Sequence, residues 1–460
     1  MSRTRPSTTL ALVAVFATVA PVGATAAQPI VEWGRRVANS GRSGCCHGLG
    51  ADAAGSVYVT GAFDGTIPVD RHVLESAGGS DIFLVKLDRE GRGVWAVRGG
   101  GTGADHPTEL AVAPDGHCYV VGQIDATSRF GDKYLPYFGE RKSFLARYGP
   151  DGECAWVVTA PGKIEESVKA VAVAPDGGAV VAGDHVPKDS DDDVPECYLA
   201  KYDPGGEREW LVRIAGTGRS LALAVDGAGV TYVAGSLGDG ADAGRRGGPR
   251  RPYEKKPWLA AFDADGKRLW GWTGEVGADD DASARRRSWG RSTGVAAIPR
   301  GGCWVVGEVE GPARFGRFEP SALGGRDVFL ARFDAGGKPR WVVRAGGPAD
   351  DDAFDVARTE GGGVIVGSYR ESATFGATTV EAVTAQDVFV AAFDEAGGCT
   401  GVRTGSGPGE SPQDAIAFEV AAGPAGTVLV SGWFRDALRF GDVSIRGGRD
   451  AHFVARLRCP

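Results

Sequence analysis

The sequence is poor in the residues on which many enzyme sites are built. Its 460 residues include six His, one Asn (Asn39) and a single Met, Met1. So few imidazoles leave little material for His-based acid–base or zinc chemistry. The eight Cys form no C-x-x-C pair, which removes the usual thiolate zinc cluster. No H-E-x-x-H, Walker A, EF-hand or G-x-S-x-G motif occurs. The nearest approach to a nucleophile elbow, Gly218-Arg219-Ser220-Leu221-Ala222, leads into a strand pattern with no helix after it. The Gly-rich run at 99–103 likewise lacks the strand–helix context of a phosphate loop. A formal charge of −8 makes a poor nucleic-acid binder, since that affinity comes largely from Lys and Arg neutralising phosphates. It also argues against anionic membrane surfaces. No apolar run beyond the N-terminus approaches the roughly 18 residues needed to span a bilayer.

The N-terminus reads as a processing segment. Arg3 and Arg5 form a basic region, Leu10 to Val19 a short apolar run, and Pro21 ends it. Ala24-Thr25-Ala26 offers small residues for cleavage, and a cut after Ala27 fits as well. This is the pattern of a secretory signal peptide over 1–27. The expected destination is the cell envelope or the exterior, periplasmic or secreted. The Cys in such a chain permit disulfides. Cys45 and Cys46 are adjacent and admit a vicinal bridge. Cys118 and Cys303 occupy one repeat slot in different repeats, as do Cys154 and Cys399, too far apart to pair.

What the sequence has in abundance is Gly, 73 residues of it, and repetition. One block, D-x-x-G-x-x-x-W, stands at 88–95, 203–210, 263–270 and 334–341. The block at 149–156 differs at its first position, and that at 394–401 has Gly401 where Trp is expected. With Trp33 near the N-terminus, the repeat-end residues are Trp33, Trp95, Trp156, Trp210, Trp270 and Trp341, which are expected to be structural anchors. Two further blocks recur seven times each. A Val-rich run ends at Gly61, Gly122, Gly183, Gly235, Gly307, Gly367 and Gly432. A run such as FLARY or DVFLARFD alternates aromatic and small residues on one face, as a strand does. The Val-rich run suits a strand buried on both faces.

One repeat thus predicts four strands, in blade two near 110–114, 118–122, 143–148 and 155–160. Repeated four-stranded sheets cover one another when arranged round an axis. The last repeat ends at Pro460 with no fourth strand, while residues 30–38 form an orphan fourth strand at the other end. The expectation is an all-β, seven-bladed β-propeller over 30–460, closed by the N-terminal strand.

The spaced pattern, with Phe-Gly at 130–131, 315–316, 375–376 and 440–441 before the third strand, resembles the bacterial SBBP-type propeller repeats. The resemblance implies the fold over residues 30–460 and carries no shared catalytic residues. Repeats three and four lack Phe-Gly, and repeat four carries a polar insert at 238–257.

Strands that alternate in direction place the fourth-to-first and second-to-third connections on one face of the ring. Charge gathers there. Arg250, Arg251 and Tyr253 lie in one insert, and Asp279, Asp280, Asp281, Arg285, Arg286, Arg287 and Trp289 in or beside the next. These are the candidate binding residues for a protein or an acidic polysaccharide. Asp350, Asp351 and Asp352 make a Ca²⁺ candidate, although three consecutive Asp lack the alternate spacing of a wrapping loop. No other cofactor and no catalytic residue is expected. The function expected is that of an exported, non-enzymatic binding or structural module. The rival is a propeller enzyme, quinoprotein-like or sugar-active, with its site at the axial loop face.

Overall fold

The computed structural model describes residues 28–39, 46–136, 139, 141–159, 167–185, 196–238, 255–277, 289–408, 415–448 and 451–460. Side chains 38, 39, 46, 185 and 215–221 stand outside that description. These residues form seven antiparallel four-stranded blades, with strands called a to d from the axis outwards. Blade two, for example, is His106–Val112, Cys118–Ile124, Lys142–Tyr148 and Cys154–Thr159. Blades three and four share one long strand, Arg208–Val225, which supplies d of one and a of the next.

Each strand a packs on strand a of the next blade, and strand a of blade seven (Ala415–Ala422) packs on that of blade one (Cys46–Ala51). The ring is closed. Blade seven is completed by Ile30–Asn39 pairing antiparallel with Ala451–Arg458, from Ile30 opposite Arg458 to Asn39 opposite Ala451. The Val-rich strands b are buried throughout, as in Val57–Phe63 and Gly362–Tyr369. Their side chains and those of strands c fill the layers between blades.

Two recurring devices tie neighbouring blades together. The first is the repeat-end Trp. Each indole lies on the glycine of the following blade's c–d turn: Trp33 on Gly91, Trp95 on Gly152, Trp156 on Gly206, Trp210 on Gly266, Trp270 on Gly337 and Trp341 on Gly397. Each Nε1–H donates to a carbonyl of that turn at 2.8–3.0 Å. Trp33 thus latches the N-terminal strand onto blade one. This geometry explains why Gly401 replaces Trp. A Trp there would need the c–d turn of blade seven, and that turn does not exist, because strand c ends the chain and strand d begins it.

The indoles are half-buried rather than fully buried. Trp156→Ala is accordingly expected to cost about 2–3 kcal/mol, below the full-burial range, in urea unfolding. Gly401→Trp should give no gain, for want of a turn to receive it.

The second device explains Phe-Gly. In blade two it forms a hairpin, Ser128–Phe130 with Lys133–Leu135, that turns at Gly131 and pairs back on strand d of blade one (Gly93–Gly101). Phe130 is fully buried against Phe144, with ring centres 4.8 Å apart. Phe315 on Phe329 and Phe375 on Phe389 repeat the distance. The b–c segments of blades three and four, where Phe-Gly is missing, fall outside the described residues at 186–195 and 239–254.

Candidate functional site

Of the loop-face candidates, Arg250, Arg251, Tyr253, Asp279, Asp280, Asp281, Arg285, Arg286 and Arg287 lie outside the described residues. Trp289 lies within them and opens strand a of blade five, Trp289–Ala297. The register places Trp289 opposite Glu310, and Glu310 opposite Arg326, so the three share one row at the loop-face end of the blade. The next row inward on that face pairs Arg291 with Glu308.

Three cations surround the half-buried indole. The Arg291 guanidinium stands 5.3 Å from the ring centre, with Lys255 Nζ and the Arg326 guanidinium each at 5.9 Å. Such contacts favour cations over an aromatic face. Lys255 follows the blade-four insert and Trp289 follows the 278–288 segment, so the flanks of the two inserts meet here.

Carboxylates lie beneath. Glu308 is fully buried and pairs with Arg291 through Nε–Oε2 at 3.1 Å and Nη2–Oε1 at 3.2 Å. Burial pushes its carboxyl up to about 7, against the pull of Arg291 and Arg326. Arg326 reaches Asp350 at 3.2 Å and Asp352 at 3.1 Å on blade six.

The three consecutive Asp therefore separate in role. Asp350 accepts the Arg326 backbone N–H and its guanidinium, which hold its carboxyl below the usual range. Asp351 turns into the blade and accepts the Gly347 N–H at 2.7 Å. Asp352 pairs with Arg326. Among the described residues, no group of three or more His, Cys, Asp or Glu is placed to hold a metal ion.

A second constellation lies on the axis. Every strand a carries a β-bulge near its loop-face end. Just after it come Gly48, Glu109, Ala170, Ala222, Gly294, Asp355 and Glu419 in the seven blades. Glu109 takes the Leu110 N–H, and Asp355 takes those of Val356 and Val420, so these carboxylates cap backbone donors of the innermost strands. Burial at the ring's centre raises all three carboxyls, Asp355 to about 7, and Glu419 is raised further by the other two. Gly294 is crowded by its neighbour in this tier: an added Cβ would stand 2.8 Å from Asp355 Cα and 3.0 Å from its Oδ1. No repeat motif announces this tier, because only three of seven blades carry the acid.

The near-elbow at 218–222 runs through the strand Arg208–Val225, without a strand–turn–helix. Cys118, Cys154, Cys197, Cys303, Cys399 and Cys459 are free thiols. Cys45, and with it the adjacent pair, falls outside the described residues. No helix among the described residues is long and apolar enough to cross a membrane.

No protein-family model matches the chain, and no curated protein matches it. Several solved structures are similar in fold. One is a streptogramin B lyase, at 9% identity and TM-score 0.46, with 92% of this chain and 97% of that chain covered. Another is the WD40 domain of Pan2 from Neurospora crassa, at 10% identity and TM-score 0.44, with 90% and 89% covered. A chain of a mitotic checkpoint complex matches at 9% identity and TM-score 0.42, with 97% and 98% covered. The chain is a seven-bladed β-propeller. At these identities the likeness extends to fold and no further.

Proposed function

We propose that the chain is an exported SBBP-type propeller, released from its leader at 1–27, that binds an anionic partner at the loop face around Trp289. The partner class is an acidic polysaccharide or an acidic protein surface. The observation that carries this reading is the half-exposed Trp289 indole ringed by Lys255, Arg291 and Arg326. An indole with cations on its flanks offers stacking area and charge together, as binding hot spots do. Rigid strand ends hold these groups, while the irregular inserts lie beside them.

The test is calorimetric titration with dextran sulfate, and with neutral dextran as control. Dextran sulfate should bind and neutral dextran should not. Trp289→Ala should weaken binding by about tenfold or more, equivalent to ~1.4 kcal/mol. Trp210→Ala, on the outer rim, should leave it unchanged. Affinity should also fall between about pH 6 and about pH 8. Glu308 gains its negative charge over that interval and offsets Arg291 and Arg326. Equal affinity for the two polymers, or an unaltered Trp289→Ala, refutes the site. Melting in Ca²⁺ and in chelator tests the Asp279–Asp281 and Asp350–Asp352 metal reading, which an unchanged midpoint removes.

A further inference from the structure

We infer that Asp81 with Asp105, and Asp327 with Asp351, each share a single proton, forming two acid-pair clasps that lock neighbouring blades and open as pH rises. The pairs occupy equivalent places at the junctions of blades one and two and of blades five and six. All four side chains are buried, none more than 1% exposed.

In the first pair, Asp81 Oδ2 accepts the Ala77 N–H and Arg98 Nη1, both at 2.6 Å, while its Oδ1 has no partner. In the second, Asp327 Oδ2 accepts the Leu323 N–H at 3.0 Å and Arg344 Nε at 2.8 Å, and its Oδ1 again has none. A buried, unpaired carboxylate oxygen is costly, and one met twice in the same place calls for a missing atom.

The second carboxylate of each pair comes from the d–a turn. Asp105 Oδ2 accepts the Gly101 N–H at 2.6 Å, and Asp351 Oδ2 the Gly347 N–H at 2.7 Å. The two acids of a pair meet over one glycine. A side chain on Gly100 would stand 2.5 Å from Asp81 Oδ1 and 2.8 Å from Asp105 Oδ2. On Gly346 it would stand 2.7 Å from both Asp327 Oδ1 and Asp351 Oδ2. These glycines have φ of +136° and +144°, where a side chain is strained in any case. The N–H and Arg donors of Asp81 and Asp327 go to their Oδ2 atoms, so the orphan Oδ1 of each faces the other acid's Oδ2 across the glycine. A proton is the species that fits: one acid donates its O–H to the other, which stays ionised.

The third blade with this Asp is an internal control. In blade six, Asp387 Oδ2 takes the Val383 N–H as its counterparts do. Thr404 stands where Arg98 and Arg344 stand, and Ser406 follows in the glycine's place. There Thr384 Oγ1 donates to Asp387 Oδ1 at 2.6 Å, so no orphan oxygen remains.

Burial raises Asp105 and Asp327, and pushes Asp351 up to about 7 with help from the facing Asp327 and Asp352. A carboxyl raised above its unfolded value binds its proton more tightly when folded. At the second clasp the contribution is therefore complete below about pH 4 and is lost as pH climbs through about 7, while at the first the raised Asp105 carboxyl sets the same direction of loss. The charged neighbours are Arg98, His106, Asp125 and Arg141 at the first clasp. At the second they are Arg344, Arg326, Asp350, Asp352 and Arg370. Loss of the second clasp would loosen the turn that carries Asp350 and Asp352. The inference does not depend on the binding proposal above.

The test is urea unfolding of the full chain at about pH 6 and about pH 9, reading the change in midpoint. Glu308 and the axial Glu109, Asp355 and Glu419 titrate in the same sense, so only differences from the wild type count. Asp327→Asn places a permanent N–H donor where the shared proton sits. It should shrink the wild-type drop in midpoint, and Asp81→Asn with Asp327→Asn should shrink it further. Asp387→Asn should leave the drop unchanged. In the infrared, the C=O band of protonated carboxyls at about pH 6 should be weaker in Asp327→Asn than in the wild type. An unaltered pH-dependence together with an unaltered band overturns the inference. So does an Asp327→Asn protein equally destabilised, or unfolded, at both pH values, for charge on Asp327 would then be what holds the clasp.

Discussion

Removal of residues 30–38 is expected to destroy the folded monomer's stability more than any single substitution. The segment supplies the whole outer strand of blade seven, paired along Ala451–Arg458. It also supplies Trp33, which latches blade seven to blade one through the Arg89 carbonyl. Val37 is buried in the core between those blades. Burial of Val37 and of much of Trp33 alone is worth about 2–3 kcal/mol each, so a loss of ~5 kcal/mol or more is expected once the ladder and the latch go too. The bared strand c would offer an unpaired edge to other molecules. Urea unfolding should show the loss, and light scattering a concentration-dependent association. A truncated protein that unfolds at the wild-type midpoint as a monomer would mean the ring closes by some other route. Trp33→Ala, tested beside it, separates the latch from the strand.

The fold was legible because the repeats state it many times over. Seven Val-rich runs ending in Gly, and seven aromatic runs, gave the strands by their period of two, and the split last repeat gave the closure. The boundaries lay a few residues off. The pattern predicts strand a of blade two at 110–114, and the strand runs from His106 to Val112, since Pro107 masks its start and the bulge at Thr108 breaks the alternation. The Trp motif stands out in the sequence by its spacing. Its partner, the glycine of the next c–d turn, does not, because that contact depends on how blades stack. The sequence likewise shows Gly401 in place of Trp without its reason, that blade seven has no c–d turn to receive an indole.

The site was legible only in part. Trp289 and the basic residues around it stand out by composition. Arg326 and Glu308 do not, because they reach Trp289 and Arg291 through strand register, Glu308 from 17 residues beyond Arg291. The Asp350–Asp352 run reads as one acidic cluster. In the structure two of its members serve Arg326 and the third faces Asp327 inside the blade. Alternation along an extended chain sends neighbouring side chains to opposite sides, and a run of like residues conceals that.

Gly367→Ala is expected to cost about 3 kcal/mol or more, although Gly→Ala commonly stabilises by limiting the unfolded chain. Gly367 ends the Val-rich run of blade six, the place held by Gly in all seven repeats. Strand a bulges there, between Ala353 and Asp355, and the bulge pushes the Asp352 carbonyl onto Gly367. An added Cβ would overlap that oxygen and stand 2.7 Å from Cζ of the Phe389 ring. Neither neighbour can give way easily. The carbonyl is fixed by the strand ladder, and Phe389 is fully buried against Phe375. The same crowding meets Gly122, Gly183, Gly307 and Gly432, each against a strand-a carbonyl and a strand-c ring. The recurrent glycine is therefore a spatial requirement of the bulge, and the bulge sets the axial tier of Glu109, Asp355 and Glu419. Gly361→Ala, at a turn with no atom within 4 Å, is the control and should be close to neutral. Urea unfolding is the better readout. In a chain this long the unfolding entropy is large, and ~3 kcal/mol moves the melting temperature by only a few degrees. A Gly367→Ala protein as stable as the wild type would show that the bulge can relax away from strand b. The axial carboxylates would then lose the rigid footing that this packing gives them.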